Sequence, residues 1–209
     1  MSRKNPRMGS PRPAHHSGPP PEALFVLSAI SQYIGAAIAV SLFDEVAPQT
    51  VAWFRTIGAT VALLAVSPGF YRGWTRKDLG GAAIFGIATV LMNVFFYLGI
   101  DRIDLGKSVA IEFIGPIVVA AVTTHSVRNG AALVLAVIGV VTLGGVEISD
   151  NALGVFFILA SSAMWAAYIV VGARVANVRS GVAGLGVGLA IGSLFIAPIG
   201  APGSGPVWA

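Results

Sequence analysis

One carboxylate lies inside a long apolar stretch of this chain. Glu112 is part of residues 110–116, which read AIEFIGP. An ionised acid near the centre of a bilayer costs about 2.5–3.5 kcal/mol on insertion scales, so such a residue is expected to face a protein interior and to be functional. Pro116 has no N–H to donate to the Glu112 carbonyl, which predicts a kinked helix. The carboxyl and the free backbone carbonyl of Glu112, at the same depth in the membrane, could together bind an ammonium group or a proton.

Two further polar residues are predicted at a similar depth. Counting about 1.5 Å per residue from the outer boundary places Arg55, Asn93 and Glu112 roughly 8–11 Å into the membrane. A paired arginine and glutamate are far cheaper to bury than either charge alone. Two interpretations stay open: a static ion pair that locks the helices together, or a site for a substrate or proton.

Polar and aromatic side chains also recur at helical spacing in three other places. Each stripe alone is more typical of helix packing than of a binding site, but their coincidence with Glu112 favours a lined cavity. The candidate cavity residues taken from these stripes are Gln32, Asn93, Tyr97, Trp165 and Tyr168.

The elements that position these residues are predicted to be transmembrane helices. The chain is 56% hydrophobic and 11% charged, far from the quarter that is charged in a soluble domain. Segments of about 17–20 apolar residues can cross a bilayer, and without period-two alternation they are helices. Seven such segments are expected, at residues 24–43, 50–67, 80–100, 105–123, 130–146, 152–172 and 182–199. The sequence thus predicts an all-α integral membrane protein.

The basic residues predict the orientation. With the amino terminus in the cytoplasm, ten of the thirteen lysines and arginines fall on the inner side. Residues 1–21 are rich in proline and arginine and are predicted to form a disordered cytoplasmic tail. An uncleaved first span is favoured over a signal peptide, because the apolar run is long and more spans follow. A plasma-membrane (inner-membrane) location follows.

An internal repeat divides the chain. Shifting the sequence by 132 residues aligns Leu27 with Leu159 and Tyr33 with Trp165. Five spans separate the two copies, so they would enter the membrane from opposite sides, as in secondary transporters. We expect a five-helix repeat at 22–147, two helices of an inverted second repeat at 148–200, and a loop at 201–209. Three helices of the second repeat are expected to be missing.

Several other classes are excluded. Gly106-Lys107-Ser108 ends like a phosphate-binding loop, but Asp101 stands where that motif needs its upstream glycine. A Ser–His hydrolase is excluded because all three histidines fall outside the spans. No metal cluster is visible, no cofactor is implied, and the basic residues flank apolar segments rather than forming a nucleic-acid surface. The chain is not predicted to be an enzyme.

Three runs resemble the EamA-type transporters of the drug/metabolite transporter superfamily. They are residues 92–98 (MNVFFYL), 110–116 (AIEFIGP) and 165–169 (WAAYI). The chain is most similar to the threonine/homoserine exporter branch, in which Arg55 has a matching Arg-x2-Gly context. The resemblance covers about residues 24–200.

The resemblance implies a ten-helix bundle of two inverted repeats that exports small amino acids or related metabolites by proton-coupled alternating access. Its partners would be a small-molecule substrate, the lipid bilayer, and a second copy or another membrane chain that supplies the missing helices. Glu112 would bind the ammonium group or a proton, and Arg55 would balance it or hold a carboxylate. The alternative is a truncated, non-transporting remnant or partner subunit in which Arg55 and Glu112 form a purely structural pair.

Overall fold

The structure is a computed structural model that describes residues 20–69, 71–123, 126–144, 151–175 and 181–205. The described residues form helices and no strands. These residues contain eight α-helices in chain order: α1 (Pro21–Val40), α2 (Pro48–Ala65), α3 (Arg76–Ile100), α4 (Leu105–Glu112), α5 (Ile114–Thr123), α6 (Val127–Gly144), α7 (Ala152–Val175) and α8 (Gly181–Gly200). A 3-10 turn, Ala201–Ser204, follows α8 in the region expected to be a loop.

Helices α4 and α5 together form one membrane-length segment, so the eight helices correspond to the seven predicted ones. Within the part of the chain that the structure describes, four segments are long and apolar enough to cross a membrane: Arg76–Ile100, Leu105–Thr123, Ala152–Gly172 and Gly181–Gly203. Two shorter apolar helices are Val26–Val40 and Val127–Thr142. The prediction of an all-helical membrane protein is confirmed. The predicted tail falls almost wholly on residues 1–19, outside the described residues, and the repeat boundaries stay a prediction.

The chain forms two compact units, Met1–Ala36 and Ala37–Ala209. Within its described residues, the first unit contains most of α1. The second unit contains the other helices, and α3 is central to it because α2, α7 and α8 all pack against α3. Its buried side chains include Phe85, Val90 and Tyr97 of α3, Ile158 of α7 and Ile196 of α8.

Small residues allow α3 and α8 to approach each other closely. A Cβ atom on Gly86 of α3 would overlap the backbone of Gly188 on α8, and one on Gly192 would lie 2.7 Å from the Gly86 carbonyl oxygen. Two of the three glycines in the stripe Gly184, Gly188 and Gly192 therefore make the helix contact that such spacing indicates.

Hydrogen bonds fix the ends of two helices near the site. Asp78 and the N-cap residue Thr75 form a reciprocal capping box at the start of α3. The Asp104 carboxylate accepts the backbone N–H groups of Gly106 and Lys107 at the start of α4, at 2.9 and 3.3 Å. The Gly106–Lys107 backbone is thus the capped first turn of a helix.

Candidate functional site

The helix that carries Glu112 is interrupted immediately after it. Helix α4 ends at Glu112, Phe113 is a turn residue, and α5 begins at Ile114. Pro116 has no N–H for the Glu112 carbonyl. The buried Gly115 N–H donates across to the Ser162 hydroxyl of α7 at 2.7 Å. A side chain of a neighbouring helix therefore binds a backbone group at the break.

The Glu112 carboxyl is enclosed by the bundle. Only 3% of the residue is exposed, and its Oε1 accepts a 2.6 Å hydrogen bond from the Ser161 hydroxyl of α7. Ser161 is fully buried, and its Oγ also lies 3.0 Å from the Met92 carbonyl oxygen of α3. One hydroxyl thus connects the carboxyl on α4 with the backbone of α3.

Arg55 lies against a tyrosine. Its Nη1 donates to the Tyr97 hydroxyl at 2.7 Å, and its guanidinium carbon lies 5.8 Å from the centre of that ring. Tyr97 is 1% exposed, and Phe43 packs edge-on against it. Among the described residues the one salt bridge joins Arg102 to Asp101 at the end of α3, at 3.0 Å.

The direct Arg55–Glu112 ion pair considered from the sequence is therefore not formed in this structure. Each charge instead has a hydroxyl partner, Tyr97 for the cation and Ser161 for the anion. Most guanidinium N–H groups of Arg55 remain free to bind a carboxylate.

Asn93 lies one turn before Tyr97 on α3. Its amide nitrogen donates to the Thr89 carbonyl of the same helix at 2.9 Å, and the side chain is part-buried. This bond orients the amide group and leaves its oxygen as the acceptor for another group.

The two aromatic candidates of α7 pack against different helices. Trp165 meets Phe113, the residue at the helix break, with ring centres 5.1 Å apart and nearly perpendicular planes. Tyr168 packs on Phe85 of α3 at 4.8 Å. The structure thus brings Trp165 to the segment that carries Glu112. Gln32 lies in α1 within the first compact unit, and its role stays a prediction.

Neither Ser161 nor Ser162 is among the candidate residues that the sequence predicts. Both belong to a Ser-Ser pair inside an apolar helix. Their consecutive positions let one hydroxyl bind the Glu112 carboxyl and the other the Gly115 N–H. The sequence signal is this pair of adjacent serines, which stand four and three residues before Trp165.

An open groove of about 480 Å³ lies between α5 and α6. It is mostly apolar, with Thr123 and Asn129 as its polar residues. Phe113 and Pro116 line it, whereas Glu112 does not. Among the described residues no group of three or more acidic or histidine side chains could hold a metal ion. The three histidines considered from the sequence, His15, His16 and His125, lie outside the described residues.

Two bacterial exporters are similar to this chain over most of its length. The threonine/homoserine exporter RhtA of Salmonella typhimurium (strain LT2) is 32% identical over 189 residues, and that of Escherichia coli (strain K12) is 31% identical over 188 residues. Each similarity covers 87% of this chain. The chain spans 62% of the length of these curated relatives. No protein-family profile matches the chain, and no solved structure matches it.

Proposed function

We propose that the chain belongs to the EamA-type exporters of the drug/metabolite transporter superfamily. Its function would be to export small amino acids of the threonine/homoserine kind, coupled to protons, by alternating access. The observation that carries the proposal is the enclosed Glu112 carboxyl, whose one side-chain partner is a serine hydroxyl. The similarity to the two exporters named threonine/homoserine exporter supports the substrate class.

An amino acid carries an ammonium and a carboxylate, and the site offers a group for each. The Glu112 carboxylate binds the ammonium group or, alternately, a proton. Arg55, anchored by the Tyr97 hydroxyl, binds the substrate carboxylate through its free N–H groups. The side chains proposed to shape the cavity around them are Asn93, Tyr97, Trp165 and Tyr168, and the role of Gln32 stays a prediction.

The proposed orientation places the amino terminus in the cytoplasm. Helix α3, with 25 residues, is about 37 Å long and exceeds the roughly 30 Å hydrocarbon core, so its two ends reach opposite surfaces. The chain has no cysteine, so a single one can be introduced at either end. In intact cells a membrane-impermeant maleimide should label Asp101→Cys and not Lys77→Cys. The reverse labelling would contradict this orientation.

The decisive experiment measures amino-acid efflux. Cells lacking their own threonine and homoserine exporters are loaded with labelled homoserine and produce either the wild-type chain or Glu112→Gln. We expect the variant to export about tenfold to a hundredfold more slowly, because a hydrogen bond to a charged group contributes about 1.5–3 kcal/mol, and tenfold corresponds to 1.4 kcal/mol. Glutamine keeps the shape of the side chain but neither carries a negative charge nor exchanges a proton.

Glu45→Gln is the matched control, because it makes the same change at an exposed position between α1 and α2. It should export at the wild-type rate. The amount of each protein in the membrane is measured by immunoblot. If wild-type chain in the membrane exports neither amino acid, or if Glu112→Gln exports normally, the proposed function is wrong.

A further inference from the structure

The Ser161 hydroxyl has two acceptors and one hydrogen. It lies 2.6 Å from Glu112 Oε1 and 3.0 Å from the Met92 carbonyl oxygen, both within hydrogen-bond distance. A serine hydroxyl donates one hydrogen and accepts through two lone pairs. The carbonyl can only accept, and an ionised carboxylate can only accept as well. Ser161 therefore cannot donate a full hydrogen bond to both groups at once.

The protonation state of Glu112 decides which acceptor receives the hydrogen. When Glu112 is ionised, Ser161 donates a hydrogen bond to Oε1. The oxygen–oxygen distance of 2.6 Å is usual for a hydroxyl that donates to a charged oxygen. When Glu112 gains a proton from the aqueous phase, a new O–H bond forms on Oε1 and donates to Ser161 Oγ. The Ser161 hydrogen then turns to the Met92 carbonyl, and no covalent bond of the serine breaks.

We propose that Ser161 is a positioning residue that converts proton binding at Glu112 into a hydrogen bond between α7 and α3. This inference rests on the proposed proton exchange at Glu112 and deepens it. In the ionised state the hydroxyl joins α7 to α4 only. In the protonated state it forms a chain from the α4 carboxyl through α7 to the α3 backbone. A bound ammonium group keeps Glu112 ionised and so keeps the α7–α3 hydrogen bond absent.

Other titratable or charged residues lie on the helices around Glu112. Helices α3, α5, α6 and α7 pack against α4. Arg55 of α2 reaches this region through the Tyr97 hydroxyl, and Lys107 lies in the first turn of α4 itself. The titratable or charged residues of the four packed helices are Arg76, Lys77, Asp78, Tyr97, Arg128, Tyr168 and Arg174.

Infrared difference spectroscopy of the purified chain in liposomes tests the proposal without transport. Spectra at acidic pH minus alkaline pH show the C=O stretching bands of carboxyl groups that gain protons. The Glu112 band is the one absent from Glu112→Gln. In Ser161→Ala we expect this band to shift toward the frequency of a carboxyl group without hydrogen bonds. If the proposed function is correct, the rate of homoserine efflux should also depend less on pH in Ser161→Ala than in the wild-type protein.

Ser162→Ala is the control, because it removes a hydroxyl of equal size from the next residue, which binds Gly115 instead of the carboxyl. Its Glu112 band should stay at the wild-type frequency. Ser161→Cys keeps a weak donor and should give an intermediate shift, and it serves if the alanine variant does not accumulate. Because the chain has no cysteine of its own, the introduced thiol is the one thiol in that variant.

An unchanged Glu112 band in Ser161→Ala would overturn the inference, as would an equal shift in Ser162→Ala. A wild-type protein with no Glu112 band at any pH would overturn it too. These results are separate from the efflux assay. A chain that exports nothing but shows the shifted band supports the hydroxyl switch and contradicts the proposed transport.

Discussion

Two helix contacts of this protein are equally close but differ in chemistry. Between α3 and α8 the backbones meet at Gly86 and Gly188, and the contact consists of small residues. Between the α4–α5 break and α7 the backbones meet at Gly115 and Ser162, and hydroxyl groups bind across the contact. The first contact only packs helices together. The second places one hydroxyl that donates to a buried carboxyl beside another that accepts from the backbone of a broken helix.

The largest expected effect is on the glycine contact. In Gly86→Ala the new methyl group would overlap the backbone of Gly188, so the two helices must move apart. Overpacking costs about 1–3 kcal/mol and occasionally more, and we expect at least about 3 kcal/mol here because the methyl group would overlap both atoms of the Gly188 carbonyl group and also crowd its Cα atom. Unfolding of the purified protein in mixed detergent micelles measures the change.

Gly58→Ala is the matched control for that variant. A Cβ atom on Gly58 of α2 meets no atom within 4 Å, so the same substitution adds helix propensity without a clash. It should leave the stability unchanged or raise it by up to about 1 kcal/mol. Equal stability of the Gly86 and Gly58 variants would show that α3 and α8 do not depend on backbone contact.

A smaller loss of stability, combined with a loss of function, is expected at the polar contact. In Gly115→Ala the methyl group would overlap the Ser162 carbonyl and lie 2.9 Å from its hydroxyl. We expect about 1–3 kcal/mol of destabilisation. Displacement of α7 would also separate Ser161 from Glu112, so homoserine efflux should fall more than stability alone explains. Detergent unfolding and the efflux assay measure the two effects.

Gly139→Ala of α6 is the control, since its Cβ atom also meets nothing within 4 Å. It should keep both stability and efflux. If Gly115→Ala loses stability but the folded fraction exports at the full rate, the polar contact only packs helices together. It would then have the same role as the α3–α8 contact.

The sequence predicted the helices far better than the contacts between them. The lengths of the apolar runs located all seven segments, whereas nothing in the sequence identified the neighbour of the glycine-rich helix α8. Helix period places a residue on a face, but it does not determine which helix lies opposite. The partner of α8 was therefore found only in the structure.

The same limit explains the outcome for the charged residues. Depth counting placed Arg55 and Glu112 in one layer, and opposite charges suggested a pair. The structure gives each of them a hydroxyl instead, from Tyr97 and Ser161. A hydroxyl group is uncharged and can hydrogen-bond to many kinds of partner. The sequence therefore could not predict which hydroxyl binds which charged residue. Ser162 was missed because its acceptor role depends on the broken helix opposite.

The smallest expected effect is the loss of one hydrogen bond at the break. Ser162→Ala removes the acceptor of the buried Gly115 N–H. An unsatisfied buried donor costs about 1–3 kcal/mol, and the better helix propensity of alanine offsets part of it, so we expect a net loss of about 1 kcal/mol. Hydrogen exchange at the Gly115 amide, followed by mass spectrometry, should become faster, and detergent unfolding should show the small loss.

Ser193→Ala provides the comparison for that variant. Ser193 of α8 is 7% exposed, and within the described part of the chain its hydroxyl has no hydrogen-bond partner. Removing it should be neutral or stabilising, because a buried polar group without a partner is itself a cost. If the two serine variants lose equal stability, the Ser162 hydroxyl contributes only its volume. If only Ser162→Ala loses stability and exposes the Gly115 amide, then α7 supports the helix break through that hydrogen bond, whereas α3 and α8 meet through the backbones of Gly86 and Gly188.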